Sequence, residues 1–373
     1  MKLKWSGVAV LSVFAGAVHA QSSVTLYGAI DAGLIYQSTS ASSFAPTAHN
    51  NGHVFGYKDG GIYSSLWGIR GTEDIGGGYK VNFKLQGVFN SGTGKLGLAD
   101  TTGGTAVFNQ QTTIGLSGPF GTFDVGRQFT PMTYAMADTD VRGSQFFGST
   151  LTAWLGLNQA AGWAGTNTNV PIGALYDSNA LVYQTPKFYG TWAALEYAPG
   201  GVAGQIQGGT RESAVLRYSN YGLNLAAVYY NAHDTNLAAA TPTGLDNNRL
   251  YYFGAKYIFR GVSVSASYGI GKNPSNLIHA DYEMISGGLG YQFSPFFRIT
   301  SGLYYLKDRN DSANHSIEYA VGAEYSLSKR TTAYAQVGYV ANRGTMNQTI
   351  TYGEPVAPGV STTAAMIGLR HNF

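Results

Sequence analysis

The chain has 373 residues, of which 44% are hydrophobic and only 12% charged, and its mean hydropathy is -0.08; an ordinary soluble protein is about 25% charged. Glycine is abundant (51 residues), tyrosine dominates the aromatics (27, beside 18 Phe and 5 Trp), cysteine is absent, and 23 basic against 20 acidic residues leave a formal charge of +3. These figures exclude a disordered chain, which lacks aromatics, a disulfide or thiolate-metal scaffold, and a strongly basic nucleic-acid binder.

The first element is N-terminal. Lys2 and Lys4 precede a short apolar run at 8–15, and Ala17-Val18-His19-Ala20 offers the small residues a signal peptidase needs, so residues 1–20 read as a cleaved signal peptide. The run is shorter than the ~20 apolar residues of a transmembrane helix, and no longer one follows. Removing Lys2 and Lys4 leaves 21 basic against 20 acidic residues in an exported, nearly neutral chain covering 21–373.

From there the pattern has period two, the signature of strands. Val24, Leu26, Ile30, Ala32 and Leu34 alternate with Thr25, Tyr27 and Asp31; later Tyr79, Val81, Phe83, Leu85 and Phe89 alternate with Lys80, Asn82, Lys84, Gln86 and Asn90. About sixteen segments of about 8 to 14 residues repeat this, near 23–36, 62–74, 78–91, 106–117, 122–129, 179–186, 191–198, 212–219, 222–232, 249–259, 261–271, 282–293, 296–308, 315–327, 331–342 and 362–373. Their length suits a tilted membrane strand of ~10 residues. Short connections (117–121, 219–222, 259–261, 293–296) alternate with long ones, the longest at 129–178, and aromatics such as Tyr251, Tyr252, Tyr257, Phe259, Tyr291, Phe293, Tyr304 and Tyr305 collect at strand ends. A soluble sandwich explains the alternation but neither the ordering of the turns nor the aromatic ends. The expected fold is all-β: a 16-stranded antiparallel transmembrane β-barrel with short periplasmic turns and long outer loops.

In such a barrel one parity meets lipid, where a Lys or Arg at the midplane costs ~2–4 kcal/mol. Lys80 and Lys84 share the other parity, and Arg70 opposes Trp67 and Ile69, which places all three in the lumen. A barrel of 16–18 strands is too wide for its own side chains to fill and holds a water channel. Loop 129–178 is expected to fold inward and narrow it, carrying Asp138 and Asp140 with Arg142 nearby, and Phe146, Phe147, Trp154 and Trp163 to pack against the wall. The last strand keeps its alternation at 365, 367 and 369 up to a terminal Phe373.

Four stretches, in this order and spacing, carry a resemblance: Ser23-Val24-Thr25-Leu26-Tyr27-Gly28, the run from Gly68 to Gly78 (GIRGTEDIGGG), Phe120-Gly121-Thr122-Phe123-Asp124-Val125-Gly126-Arg127-Gln128, and Gly368-Leu369-Arg370-His371-Asn372-Phe373. Over essentially the whole mature chain the sequence resembles the trimeric general-diffusion porins of Gram-negative outer membranes, of the betaproteobacterial type. The resemblance implies a homotrimer among outer-membrane lipid and lipopolysaccharide, with the third loop folded into the lumen. It also implies that Phe373 is the insertion signal read by the outer-membrane assembly machinery, and that ions and small hydrophilic solutes diffuse passively, without cofactor, metal or nucleic acid. Arg127 matches a family constriction arginine; Asp138 and Asp140 are candidates for the acidic side, and Arg70, Lys80 and Lys84 for the basic strip. The sequence departs from the family at Leu66, where an arginine is usual, at Phe108-Asn109-Gln110-Gln111, which often reads Phe-Asn-Arg-Gln, and at Tyr176, another frequent arginine. A thinner basic wall leads to an expectation of weak ion selectivity.

Two other functions compete: a channel selective for one nutrient, and a barrel hydrolase. His49 and His53 lack the Glu of a His-Glu-x-x-His helix, Gly92-Thr93-Gly94-Lys95 lacks the first glycine of a phosphate loop, and no Gly-x-Ser-x-Gly elbow occurs, so the sequence offers no local signature of an enzyme or metal site.

Overall fold

A computed structural model describes residues 23–96, 106–154, 174–233, 247–273 and 280–373; the signal-peptide assignment and Trp163 lie outside the described residues. The strands are β1 (Ser23–Gln37), β2 (Val54–Asp59), β3 (Ser65–Gly76), β4 (Tyr79–Phe89), β5 (Gln111–Gly118), β6 (Gly121–Phe129), β7 (Tyr176–Gln184) and β8 (Thr191–Ala198). They continue as β9 (Arg211–Asn220), β10 (Leu223–His233), β11 (Asn247–Phe259), β12 (Val262–Asn273), β13 (Ala280–Ser294), β14 (Phe297–Asp308), β15 (His315–Ser326), β16 (Thr331–Arg343) and β17 (Thr362–Asn372). All belong to one antiparallel sheet, closed by β1 pairing with β17. The barrel has 16 staves, because β2 and β3 both pair with β1 and share one position. Among the described residues no helix is long and apolar enough to cross a membrane; the strands do so.

The alternation sorts as expected. Val24, Leu26, Ile30 and Leu34 are exposed on the outer wall, as are Leu195, Leu216, Phe253, Leu289, Val337 and Ile367. Register carries the lumen parity around the barrel: Thr25 faces Arg70, Arg70 faces Lys84, and Lys84 faces Thr113. The aromatic ends divide differently from the sequence expectation. Tyr257, Phe259, Tyr291 and Phe293 are exposed outside, whereas Tyr252 and Tyr304 are buried inside, because the inward loop supplies their hydroxyls with partners: Tyr252 bonds to Thr139 Oγ1 (2.8 Å) and Tyr304 donates to Asp140 Oδ1 (3.1 Å).

The second strand, expected at 62–74, begins only at Ser65, and Val54–Asp59, expected as loop, is a strand on the same stave. The cause lies on a neighbouring strand. The fully buried Asp31 carboxylate accepts hydrogen bonds from the N–H groups of Gly61 (3.0 Å), Ile62 (3.1 Å) and Tyr63 (3.1 Å), from Tyr334 Oη (2.7 Å) and from Arg370 (3.2 Å). A carboxylate gathering three consecutive N–H groups pulls that segment out of the ladder. Asp31→Ala is therefore expected to lower stability by about 3–5 kcal/mol, since it strands the half-buried Arg370 guanidinium and several buried donors at once. Urea unfolding of the detergent-solubilised barrel checks this.

The first strand also meets the terminal residue. Gly28 and Phe373 exchange backbone hydrogen bonds (3.1 and 3.0 Å), and a Cβ at Gly28 would stand 2.4 Å from the Phe373 ring, so glycine at 28 makes room for the terminal aromatic.

Candidate functional site

The third long loop enters the barrel immediately after β6. Pro131 opens a short helix, α1 (Pro131–Thr139), at the first helical position, where its fixed φ suits the helix and its missing N–H costs nothing. Met132, Ala135, Met136 and Thr139 recur at helical spacing and are buried. They pack with Val228, Tyr230, Leu250, Tyr252 and Met284 of the inner wall. The helix thus lies against β9–β12 and occupies lumen space.

Past the helix the loop is clamped to the wall of β14 and β16. The Asp140 carboxylate accepts the N–H of Arg142 (3.0 Å), Ser144 (3.1 Å) and Thr150 (3.0 Å), besides the Tyr304 hydroxyl. Arg142, 1% exposed, donates to the carbonyls of Phe147 (2.8 Å) and Thr300 (3.4 Å) and to Gln336 Oε1. Burial pulls its pKa down from the ordinary value, and nearby Tyr304, Asp140, Glu324 and Glu318 oppose that pull. Its guanidinium lies 2.6 Å from where a Cβ would stand at Gly322, so only glycine there leaves it space. The loop after β16 also turns inward: Tyr352 stacks on Phe146 at 4.6 Å, and Gly148 N donates to Ile350 O (2.8 Å). Phe146, Phe147 and Trp154 are buried, the packing role expected of them.

What stays open lies between α1 and the wall of β3–β6. One cavity of about 390 Å³ is bounded by Leu66, Lys84, Gln86, Gln110 and Gln111 on the wall and by Phe129, Met132, Tyr134 and Phe146 on the loop. A second, also about 390 Å³ and nearer the short turns, is bounded by Arg70, Asn82, Thr113, Asp124, Gln184 and Arg217. Lys84, Gln111, Phe129 and Tyr134 line both and form the junction.

The sequence-predicted residues separate into three groups. Arg70 and Lys84 stand directly opposite each other at the junction, flanking the Tyr27 ring at 5.1 and 5.8 Å, with no ion pair among the described residues; Leu66 lines the first cavity. Lys80 faces Asp74 toward the short turns. The two acids are committed elsewhere: Asp138 pairs with Arg217, and Asp140 holds the loop. Arg127 stands opposite Thr112, out of step with the lumen-facing Thr113–Gly126 pair, and beside a bulge between Gly126 and Gln128. Its guanidinium donates to Asn109 O (2.6 Å) and Ser178 Oγ (2.9 Å) and lies over the Tyr176 ring at 5.4 Å.

Sequence reasoning gave no site role to Arg217, Lys256 or Arg370. Arg217 neutralises Asp138, Lys256 donates to the Asp140 carbonyl (3.1 Å), and Arg370 binds Asp31. For Arg370 the signal was present, since it sits on the lumen parity of the last strand; Arg217 and Lys256 find their partners only through the folded loop.

Comparison with known proteins agrees with this architecture. The sequence model of a family described as Gram-negative porin matches residues 7–345. The chain is 28% identical to an outer membrane porin protein of Bordetella pertussis, over 100% of both chains. Among solved structures it is similar to an anion-selective porin from Comamonas acidovorans (TM-score 0.74, 23% identity, 95% of this chain and 100% of that one). It is also similar to an outer membrane protein of Vibrio cholerae in a trimer form (TM-score 0.63, 15% identity, 94% and 99%).

Proposed function

Because the chain belongs to the Gram-negative porin family, we propose that its lumen passes anions in preference to cations and that Arg70 and Lys84 set this preference. The protein is an outer-membrane porin, a water-filled barrel for passive diffusion of ions and small hydrophilic solutes. Porins are channels rather than enzymes, so the hydrolase alternative draws no support from the family. One observation carries the proposal: at the junction two cations lack an ion pair among the described residues, while Asp138 and Asp140 are already engaged. Ion discrimination in a wide pore depends on charge near its narrowest section, because salt screens over ~8 Å. This moves the expectation from weak selectivity toward anions, the preference named for the Comamonas porin.

Further parts of the reading stand with it: export by the signal peptide at 1–20, a homotrimer like the trimer form of the Vibrio protein, and Phe373 as the residue read during assembly. The exposed position of Phe373 on the outer parity supports the last of these.

The test is planar-bilayer recording of the purified protein under a salt gradient. Openings in groups of three support the trimer, and a reversal potential on the cation side defeats the proposed selectivity. Leu66→Arg adds a charge to the first cavity. A unit charge ~8 Å from a passing ion contributes ~0.5 kcal/mol in water, with opposite sign for anion and cation. The permeability ratio should therefore shift toward anions by about twofold to fivefold.

A further inference from the structure

The narrow part of this channel is chemically lopsided. On the long-loop side of Lys84 the first cavity is walled by Leu66, Phe129, Met132, Tyr134 and Phe146, with side-chain amides and hydroxyls among its polar groups. On the other side the second cavity opens onto Arg70, Arg217, Asp124, Asn82, Thr113 and Gln184. At about 390 Å³ the apolar half falls within the ~300–1,000 Å³ of small-molecule sites, which combine a mainly apolar wall with a few placed polar groups. Chloride or phosphate gains nothing from such a wall, because a small hydrated ion has no apolar surface to remove from water.

We infer that the junction is a transit site for monocarboxylates with an aromatic or comparably bulky apolar body. The carboxylate sits at Lys84 and Arg70 while the body lies against Leu66, Phe129 and Met132. The site rests on the anion-preferring channel proposed above and narrows its solute class. Charge complementarity selects the anion: Lys84 lines both cavities and, with Arg70 directly across from it, has no ion pair among the described residues. Arg370, the other cation of the first cavity, is already bound to Asp31, which leaves the Lys84 end as the place for a carboxylate and fixes the ligand's direction. Apolar contact then separates a ring-bearing acid from acetate, because each buried Å² contributes ~25 cal/mol.

The experiment records chloride current through the purified channel in a planar bilayer while benzoate, acetate or benzamide is added. Benzoate shares its charge with acetate and its ring with benzamide. Its half-blocking concentration should lie roughly tenfold below that of either, equivalent to ~1.4 kcal/mol. Lys84→Gln should bring benzoate to the level of benzamide, and Leu66→Gln should bring it toward acetate. If one variant does not assemble, the other supplies the comparison. Equal block by benzoate and acetate in an anion-preferring wild-type channel overturns the transit site and leaves the proposed function standing. A cation-preferring channel, or no channel, brings down that earlier reading as well.

Discussion

Lys84→Glu should convert the channel from anion preference to cation preference. The residue lies on β4 where the two lumen cavities meet, and register puts it between Arg70 and Thr113, with Asp124 of β6 on the wall of the second cavity. The substitution changes the local charge by two units. At ~0.5 kcal/mol per charge, felt oppositely by the two ions, the permeability ratio should swing by about tenfold or more. The reversal potential should change sign at low salt and flatten as salt rises. Lys80→Glu provides the contrast: Lys80 faces Asp74 toward the short turns, where the lumen is not closed by α1, and its effect should be small. If the two variants behave alike, the selectivity does not reside at the junction.

Arg142→Met should loosen the loop that narrows the pore. The guanidinium is buried and ties together backbone carbonyls of its own loop, Thr300 of β14 and Gln336 of β16. Methionine fills much of the volume but donates nothing, leaving several carbonyls and the neighbouring Glu318 without their cation. Removing one partner from a buried charged network costs about 3–5 kcal/mol. Other ties remain, among them the Asp140–Tyr304 hydrogen bond, the Thr152–Glu318 and Gln145–Glu324 hydrogen bonds and the Phe146–Tyr352 stack. Single-channel recording should show larger and noisier openings, and limited proteolysis should cut the loop sooner than in the parent. Unchanged conductance with a lowered unfolding midpoint would mean that the remaining ties keep the loop in place without Arg142.

Much of the barrel was legible because its rule is local. A membrane strand must present apolar side chains at every second residue, so β1, β4 and β17 declare their two faces from sequence alone. Arg70, Lys80 and Lys84 could be assigned to the lumen by parity before any register was known. The break in the second stave was not legible, since the carboxylate that gathers residues 61–63 belongs to Asp31, some 30 residues away. Nor was the difference between Asp138 and Asp140. Both are acids of one loop, and only the partners met after folding make one an ion-pair member and the other an organiser of backbone. Tyr252 and Tyr304 misled for a related reason: tyrosine suits both a lipid headgroup boundary and a buried hydroxyl contact. The position of Arg127 depends on a bulge beside Asn179, whose φ of 59° no periodicity announces.

The cluster around Asp31 has one more consequence, for the order in which the molecule is completed. Nearly all the wall can be laid down as successive hairpins between neighbours in the chain, but the Asp31–Arg370 contact joins residues 339 apart. Closing a segment of that length costs ~5 kcal/mol of chain entropy, and nothing repays it until the final strand has been delivered. A nascent molecule lacking its last dozen residues has two raw β edges and no way to hide their N–H and C=O groups in hydrocarbon. Completion is therefore all or nothing, with a charged latch at the join that engages only when the first and last strands are side by side.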